Sequence, residues 1–150
     1  MACNGGKRGP RLRGAKELIG AVYETVGTRD IDALVDLFAE NCVFIDVALG
    51  ESAEGRAAFR AYMEETFLGM PDFRPETWEF VEEGDRVAAE LVLSGTHKGM
   101  FMGYPPTHRV VRWKASAFYT VTAAHDSVVR EVYYYDLGSL TSQLAGDDHA

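Results

Sequence analysis

Stretches with helical periodicity come first in this chain and stretches with strand character come after, an order that narrows the fold class before any single residue is weighed. From Ala15 to Val26 the apolar residues Leu18, Ile19, Val22, Tyr23 and Val26 recur at helical spacing, and Gly27 is placed to end that helix. Asp30 can cap a second, shorter helix with Ile31, Leu34, Val35 and Phe38 on its buried face. Cys42 to Val47 alternates as a strand. Ser52 to Gly55 opens a third helix, with Phe59, Tyr62, Met63 and Phe67 on one stripe, and Gly69 and Pro71 stop it. Four strands follow, over about 74–83, 86–98, 108–121 and 127–136. Glu83-Gly84-Asp85 makes a tight hairpin turn and Ala123 to Ser127 a looser one, and residues 137–145 can close with a helical turn. The predicted class is α+β, with an antiparallel sheet curling around the N-terminal helices.

Charge and composition exclude several functions. The formal net charge is −8, yet residues 1–14 hold Lys7, Arg8, Arg11 and Arg13 and no acid, which leaves −12 for the remainder. A domain so acidic repels phosphate backbones, so nucleic acid is not an expected partner. No apolar run approaches the roughly 20 residues of a membrane span, and no membrane partner is expected. The basic segment 1–14 lacks the apolar stretch of a signal peptide and reads as a disordered tail before one domain over 15–146. Cys3 and Cys42 give no disulfide framework, which fits a reducing, cytoplasmic home. His97, His108, His125 and His149 lack metal-ligand spacing, and there is neither a phosphate-binding glycine loop nor a nucleophile elbow. The expected cofactor set is therefore empty.

Between the second and third of the late strands lies an unusual connection, Gly95 to Arg109. It carries Met100, Phe101, Met102 and Tyr104 between Gly99 and Gly103, then the stiff pair Pro105-Pro106. Connecting loops seldom carry so much apolar surface without something to cover. Two readings stand: a stiffened lip over an apolar pocket, or a long hairpin connection packed on the core.

The run Gly95-Thr96-His97 through Gly99, Phe101, Gly103 and Pro105-Pro106-Thr107 resembles the signature loop of the SnoaL-like polyketide cyclases, within the nuclear transport factor 2-like superfamily. The resemblance continues upstream through Leu37-Phe38-Ala39-Glu40-Asn41, Gly55-Arg56, Met70-Pro71-Asp72-Phe73 and Glu83-Gly84-Asp85-Arg86-Val87. Downstream it takes in Tyr134-Tyr135-Asp136 and Gln143-Leu144, so it spans Ala15 to Gly146. It implies a cone-shaped sheet around one deep apolar pocket, a homodimer, and a small apolar or polycyclic substrate of secondary metabolism. The implied activity is cofactor-independent cyclisation or isomerisation by proton transfer. The scaffold also hosts epoxide-opening enzymes and non-catalytic binding proteins of apolar metabolites.

Four residues are the candidate catalytic set. Asp46 stands where the related ketosteroid isomerases carry their general base, and strand alternation puts it on one face with Cys42 and Phe44. An acid beside Phe44 is partly desolvated, which raises its usefulness as a base; the plainer reading is a cap on the turn Ala48-Leu49-Gly50. Tyr134 stands where the SnoaL-like cyclases carry an acid-base Asp, and the histidine of their preceding strand corresponds to Ala117. Both departures count against a direct copy of their aldol cyclisation, but Tyr134 can donate to a developing oxyanion and Asp136 can orient it. Paired with Asp46, Asp136 would instead suit epoxide opening. The oxyanion tyrosine of the ketosteroid isomerases falls at Val22, one residue from Tyr23. His97 sits in the signature loop, either as a proton carrier or, the favoured reading, as a structural pin of that loop. Phe44, Phe59, Met63, Phe67 and Trp78 are expected on the pocket wall. Phe101, Tyr104, Trp113 and Tyr119 are expected with them.

Overall fold

A computed structural model describes residues 14–147. The expectation of a disordered tail therefore falls, Gly14 apart, outside the described residues. Helix α1, Ala15–Thr28, buries Leu18, Ile19, Val22, Tyr23 and Val26. It runs through Gly27 rather than ending there. The chain reverses at Arg29, which takes a left-handed conformation (φ 58°) and gives its N–H to the Val26 carbonyl. Asp30 caps α2, Ile31–Asp36, by accepting from the Ala33 N–H at 3.1 Å. Phe38 opens strand β1, Phe38–Asp46, instead of closing the helix. Its ring packs on that of Phe59 with centroids 4.1 Å apart. The expected helix start at Ser52 is a short strand, β2 (Glu51–Glu54), folded back on β1, and α3 follows as Gly55–Gly69.

The remaining strands are β3 (Arg74–Glu83), β4 (Arg86–Thr96), β5 (Val110–Val121) and β6 (Val128–Tyr135), with α4 (Leu137–Leu144) closing the chain. Gly84 supplies the positive φ of 59° that the β3–β4 turn requires. The sheet order is β2-β1-β6-β5-β4-β3, curved and unclosed, because β2 and β3 lie at opposite edges. All neighbours are antiparallel except β1 and β6, which run parallel with Asp46 beside Tyr133. That one pair corrects the antiparallel expectation. Alternation reveals which side of a strand is buried but not which strand lies next to it. The sequence pattern cannot show that the last strand slots against the first.

Helices and sheet share one core. Strand α-parity is strict on β5, where Val111, Trp113, Ala115, Ala117, Tyr119 and Val121 are all buried and point to the helices. Across β6 the inward set is Glu131, Tyr133 and Tyr135, fixed by pairing with Tyr119, Ala117 and Ala115 of β5. Two alanines thus face two tyrosine rings. Small residues opposite large ones leave a hollow against this face of the sheet.

Candidate functional site

The hollow is a cavity of about 450 Å³ between α1, α3 and the concave face of the sheet. Helix α1 contributes Val22, Tyr23 and Val26 to its wall, and α3 contributes Phe59, Tyr62 and Met63. The sheet contributes Phe44, Leu91, Leu93, Trp113, Ala117, Tyr119, Glu131, Tyr133 and Tyr135. Met100, Phe101, Met102 and Gly103 of the Gly95–Arg109 connection close one side, as the lip reading has it.

Glu131 is the chemical centre of this wall, and it was not among the sequence candidates. Only 8% of it is exposed, and burial among apolar groups pushes its carboxyl up to about 8. Tyr119 hydrogen-bonds to Glu131, and the Tyr119 and Tyr23 hydroxyls lie 2.9 Å apart. Each phenol has a single hydrogen. With Glu131 protonated, the acid donates to Tyr119 and Tyr119 donates to Tyr23. With Glu131 ionised, Tyr119 turns its hydrogen to the carboxylate and accepts from Tyr23. The chain Glu131–Tyr119–Tyr23 thus accommodates both charge states without moving a heavy atom. Burial raises the Tyr23 and Tyr119 hydroxyls above the ordinary phenol range, so they stay protonated donors.

Asp46 is fully buried and lies behind the wall rather than in it. It accepts from the Leu49 N–H at 3.0 Å, which is the turn-capping role, and also from Tyr62 Oη at 2.8 Å and Tyr135 Oη at 3.0 Å. Both tyrosines line the cavity with their hydrogens committed to this carboxylate. Tyr133 differs. Its oxygen accepts from Trp113 Nε1 at 2.9 Å, which leaves its own hydrogen to donate into the cavity. Burial holds the Tyr133 hydroxyl well above its ordinary range.

Tyr134 is corrected by strand parity: it is 42% exposed on the outer face, with its ring edge-on to Phe118. Asp136 is exposed and caps α4 by accepting from the Ser139 N–H at 3.0 Å. The structure therefore does not bring Asp46 and Asp136 together across the cavity, the arrangement that epoxide opening needs. His97 is fully buried within the loop. Its Nδ1 accepts from the Thr107 N–H, so the ring hydrogen sits on Nε2 and goes to the Tyr104 carbonyl at 3.2 Å. Both nitrogens are spent on pinning residues 104–107. Of the expected wall, Phe44, Phe59, Met63, Phe101, Trp113 and Tyr119 line the cavity. Phe67 packs edge-on to Phe73, Trp78 packs on Tyr23 from the edge strand β3, and Tyr104 turns into the loop's own bridge with Phe101; none of the three is on the wall.

The lip is docked on the last turn of α3. The Lys98 and Gly99 N–H groups both donate to the Gly69 carbonyl at 3.0 Å, using an acceptor that the helix end leaves open. A Cβ at Gly99 would lie 2.3 Å from the Leu68 carbonyl oxygen, so only glycine allows this approach. The approach is to the end of the helix. Phe101→Ser is expected to weaken binding of a neutral aromatic ketone such as 2-acetylnaphthalene more than it lowers the melting temperature. Equal losses in titration and melting would make the loop plain core.

A curved α+β cone of ketosteroid isomerase-like fold, hollow and with a buried acid on its wall, defines a small-molecule scaffold. The family model of SnoaL-like polyketide cyclase matches residues 16–144, and the chain belongs to that family. A proposed polyketide cyclase from Pseudomonas putida superposes with a TM-score of 0.78 at 26% identity, over 87% of this chain and 97% of that one. IdmH, a proposed polyketide cyclase from Streptomyces antibioticus, gives 0.74 at 25% identity over 87% and 97%. AclR, a proposed hydroxylase from Streptomyces galilaeus, gives 0.78 at 21% identity over 91% and 83%, a likeness of fold alone. Among curated proteins no sequence match is found. No helix among the described residues is long and apolar enough to cross a membrane.

Proposed function

We propose that residues 15–146 form a cofactor-independent cyclase or isomerase, cytoplasmic and of secondary metabolism, that moves a proton on a polycyclic, polyketide- or terpenoid-like ketone. The observation that carries this reading is Glu131, a buried carboxyl on the wall of a mostly apolar cavity, where burial pushes it up to about 8. Near neutral pH such a group is present as both base and acid, which suits a step that takes a proton from one carbon and returns it to another. The carboxylate removes a proton beside the substrate carbonyl, and negative charge moves to the carbonyl oxygen. Tyr133, two residues along the same strand face and so roughly 7 Å away, has a free hydrogen to meet that oxyanion. Asp46 acts at one remove, as a positioning residue that fixes the Tyr62 and Tyr135 rings. The apolar wall excludes water that would otherwise quench the enolate.

The test is proton exchange. Aromatic polyketide β-keto esters incubated with the protein in D2O are expected to take up deuterium at the carbon between the carbonyls faster than without it, by mass spectrometry. That excess should vanish in Glu131→Gln and fall in Tyr133→Phe. Exchange at the spontaneous rate across the panel, or undiminished in Glu131→Gln, would leave the cavity a receptor.

The same reading includes a homodimer through the outer sheet face. Register aligns Val81, Ala88, Phe118, Val132 and Ile45 in one apolar row across five strands. Val81 and Phe118 are 73% and 43% exposed there. Light scattering at micromolar concentration is expected to give a dimer, with Phe118→Glu monomeric. A monomeric parent chain would refute the assembly.

A further inference from the structure

Among the described residues the cavity carries acids and aromatic rings but no cation. Glu51 and Glu65 stand exposed at its mouth, Glu131 sits on its inner wall, and among the described residues no lysine, arginine or histidine lines it. Ten of the lining side chains are aromatic. We propose that the substrate carries a basic nitrogen, an amine or a quaternary ammonium on an apolar ring body, and that ligands bearing a carboxylate are excluded. The proposal deepens the catalytic reading and rests on it in so far as the ligand bound is the substrate turned over.

An apolar wall strips water from whatever enters, and a charged group that enters must find its replacement there. For an anion this cavity offers one free phenol hydrogen, at Tyr133: those of Tyr62 and Tyr135 are already given to Asp46, the Glu51 and Glu65 carboxylates at the mouth repel it, and an anion beside Glu131 opposes that group's ionisation. For an ammonium the replacement is built in. The negative faces of the rings and the Glu131 carboxylate can take over its hydration. The approach is favourable as well, since the domain outside the first 14 residues carries −12 and a concave acidic mouth focuses that field. The cation also keeps Glu131 ionised, the form in which it acts as a base. A substrate nitrogen would then do for the base what a neighbouring arginine does in other sites.

The test uses a matched set of probes on the full chain: (2-naphthylmethyl)trimethylammonium, its uncharged isostere 2-neopentylnaphthalene, and 2-naphthylacetate. In calorimetric titration the ammonium is expected to bind about tenfold or more tightly than the isostere, and the acetate not measurably. Glu131→Gln should lose most of the ammonium preference. The exposed pair Glu51→Gln and Glu65→Gln should weaken the ammonium by about twofold to fivefold, in a salt-dependent way, and so serves if Glu131→Gln fails to fold. Isostere binding equal to the ammonium, measurable acetate binding of similar strength, or a preference that survives both variants would overturn the proposal. Ammonium preference without any proton exchange would sink the catalytic reading and sustain this one. Exchange abolished by Glu131→Gln without ammonium preference would do the reverse.

Discussion

Replacing Glu131 with Gln is expected to lower turnover by about two to four orders of magnitude, the range for loss of a general base. The amide keeps the side chain's size and a hydrogen bond with Tyr119 but cannot take up a proton. Rate against pH should report the same group. In the parent chain kcat/KM rises with pH and levels off above about 8, the value to which burial pushes this carboxyl. Tyr133→Phe removes the one free phenolic hydrogen on that strand face and is expected to cost about a hundredfold to a thousandfold with the pH profile unmoved. Asp46→Asn separates the two accounts of the site. Were Asp46 the base, as its place after the Leu37-Phe38-Ala39 run suggested, its loss would match that of Glu131. Because Tyr62 and Tyr135 stand between it and the cavity, the expected loss is about tenfold, through looser rings.

The second large effect is on stability, and its sign follows from the same burial. Burial pushes Glu131 up to about 8 in the folded chain against an ordinary 4.5, so between these values the folded chain holds a proton that the unfolded chain has released. Stability from this residue is full below pH 4.5, declines as pH rises through the window, and is lost above about 8. The integrated loss is of the order of several kcal/mol, since each pH unit across the window is worth about 1.4 kcal/mol. Denaturant unfolding of the parent chain at pH 5.5 and pH 8.5 should show this decline. Glu131→Gln should flatten that part of it and make the variant the more stable protein at pH 8.5. A parent chain and variant that respond identically would mean that Glu131 is solvated or differently paired.

Much of the fold was legible because alternation and helical spacing are properties of burial, which each segment expresses by itself. The strands after Met70 fall within two residues of their expected ends, and Asp30 caps the helix for which it was read. The site was legible only in part. Residues whose inward face is set by their own segment, such as Phe44, Phe59, Met63 and Trp113, were placed on the wall correctly. Glu131 was not, because three consecutive tyrosines after it satisfy either parity of β6. The parity is decided by pairing with β5 and β1, the latter putting Asp46 beside Tyr133 in a parallel pair that no local pattern records. A signal was present all the same: strand parity puts Glu131 in one set with Tyr133 and Tyr135, where an acid among aromatic rings marks a candidate buried group. Tyr134 drew attention instead because its place in the family motif was visible and its side of the sheet was not.

Titration of the Glu131 side-chain carbon is the most direct check on the account. With 13C-labelled glutamate, and Glu131→Gln to assign the signal, the carboxyl resonance should move with a midpoint near pH 8 in the ligand-free protein. A midpoint near 4.5, where an exposed glutamate titrates, would contradict the claim that this cavity holds a desolvated acid ready to exchange a proton at neutral pH.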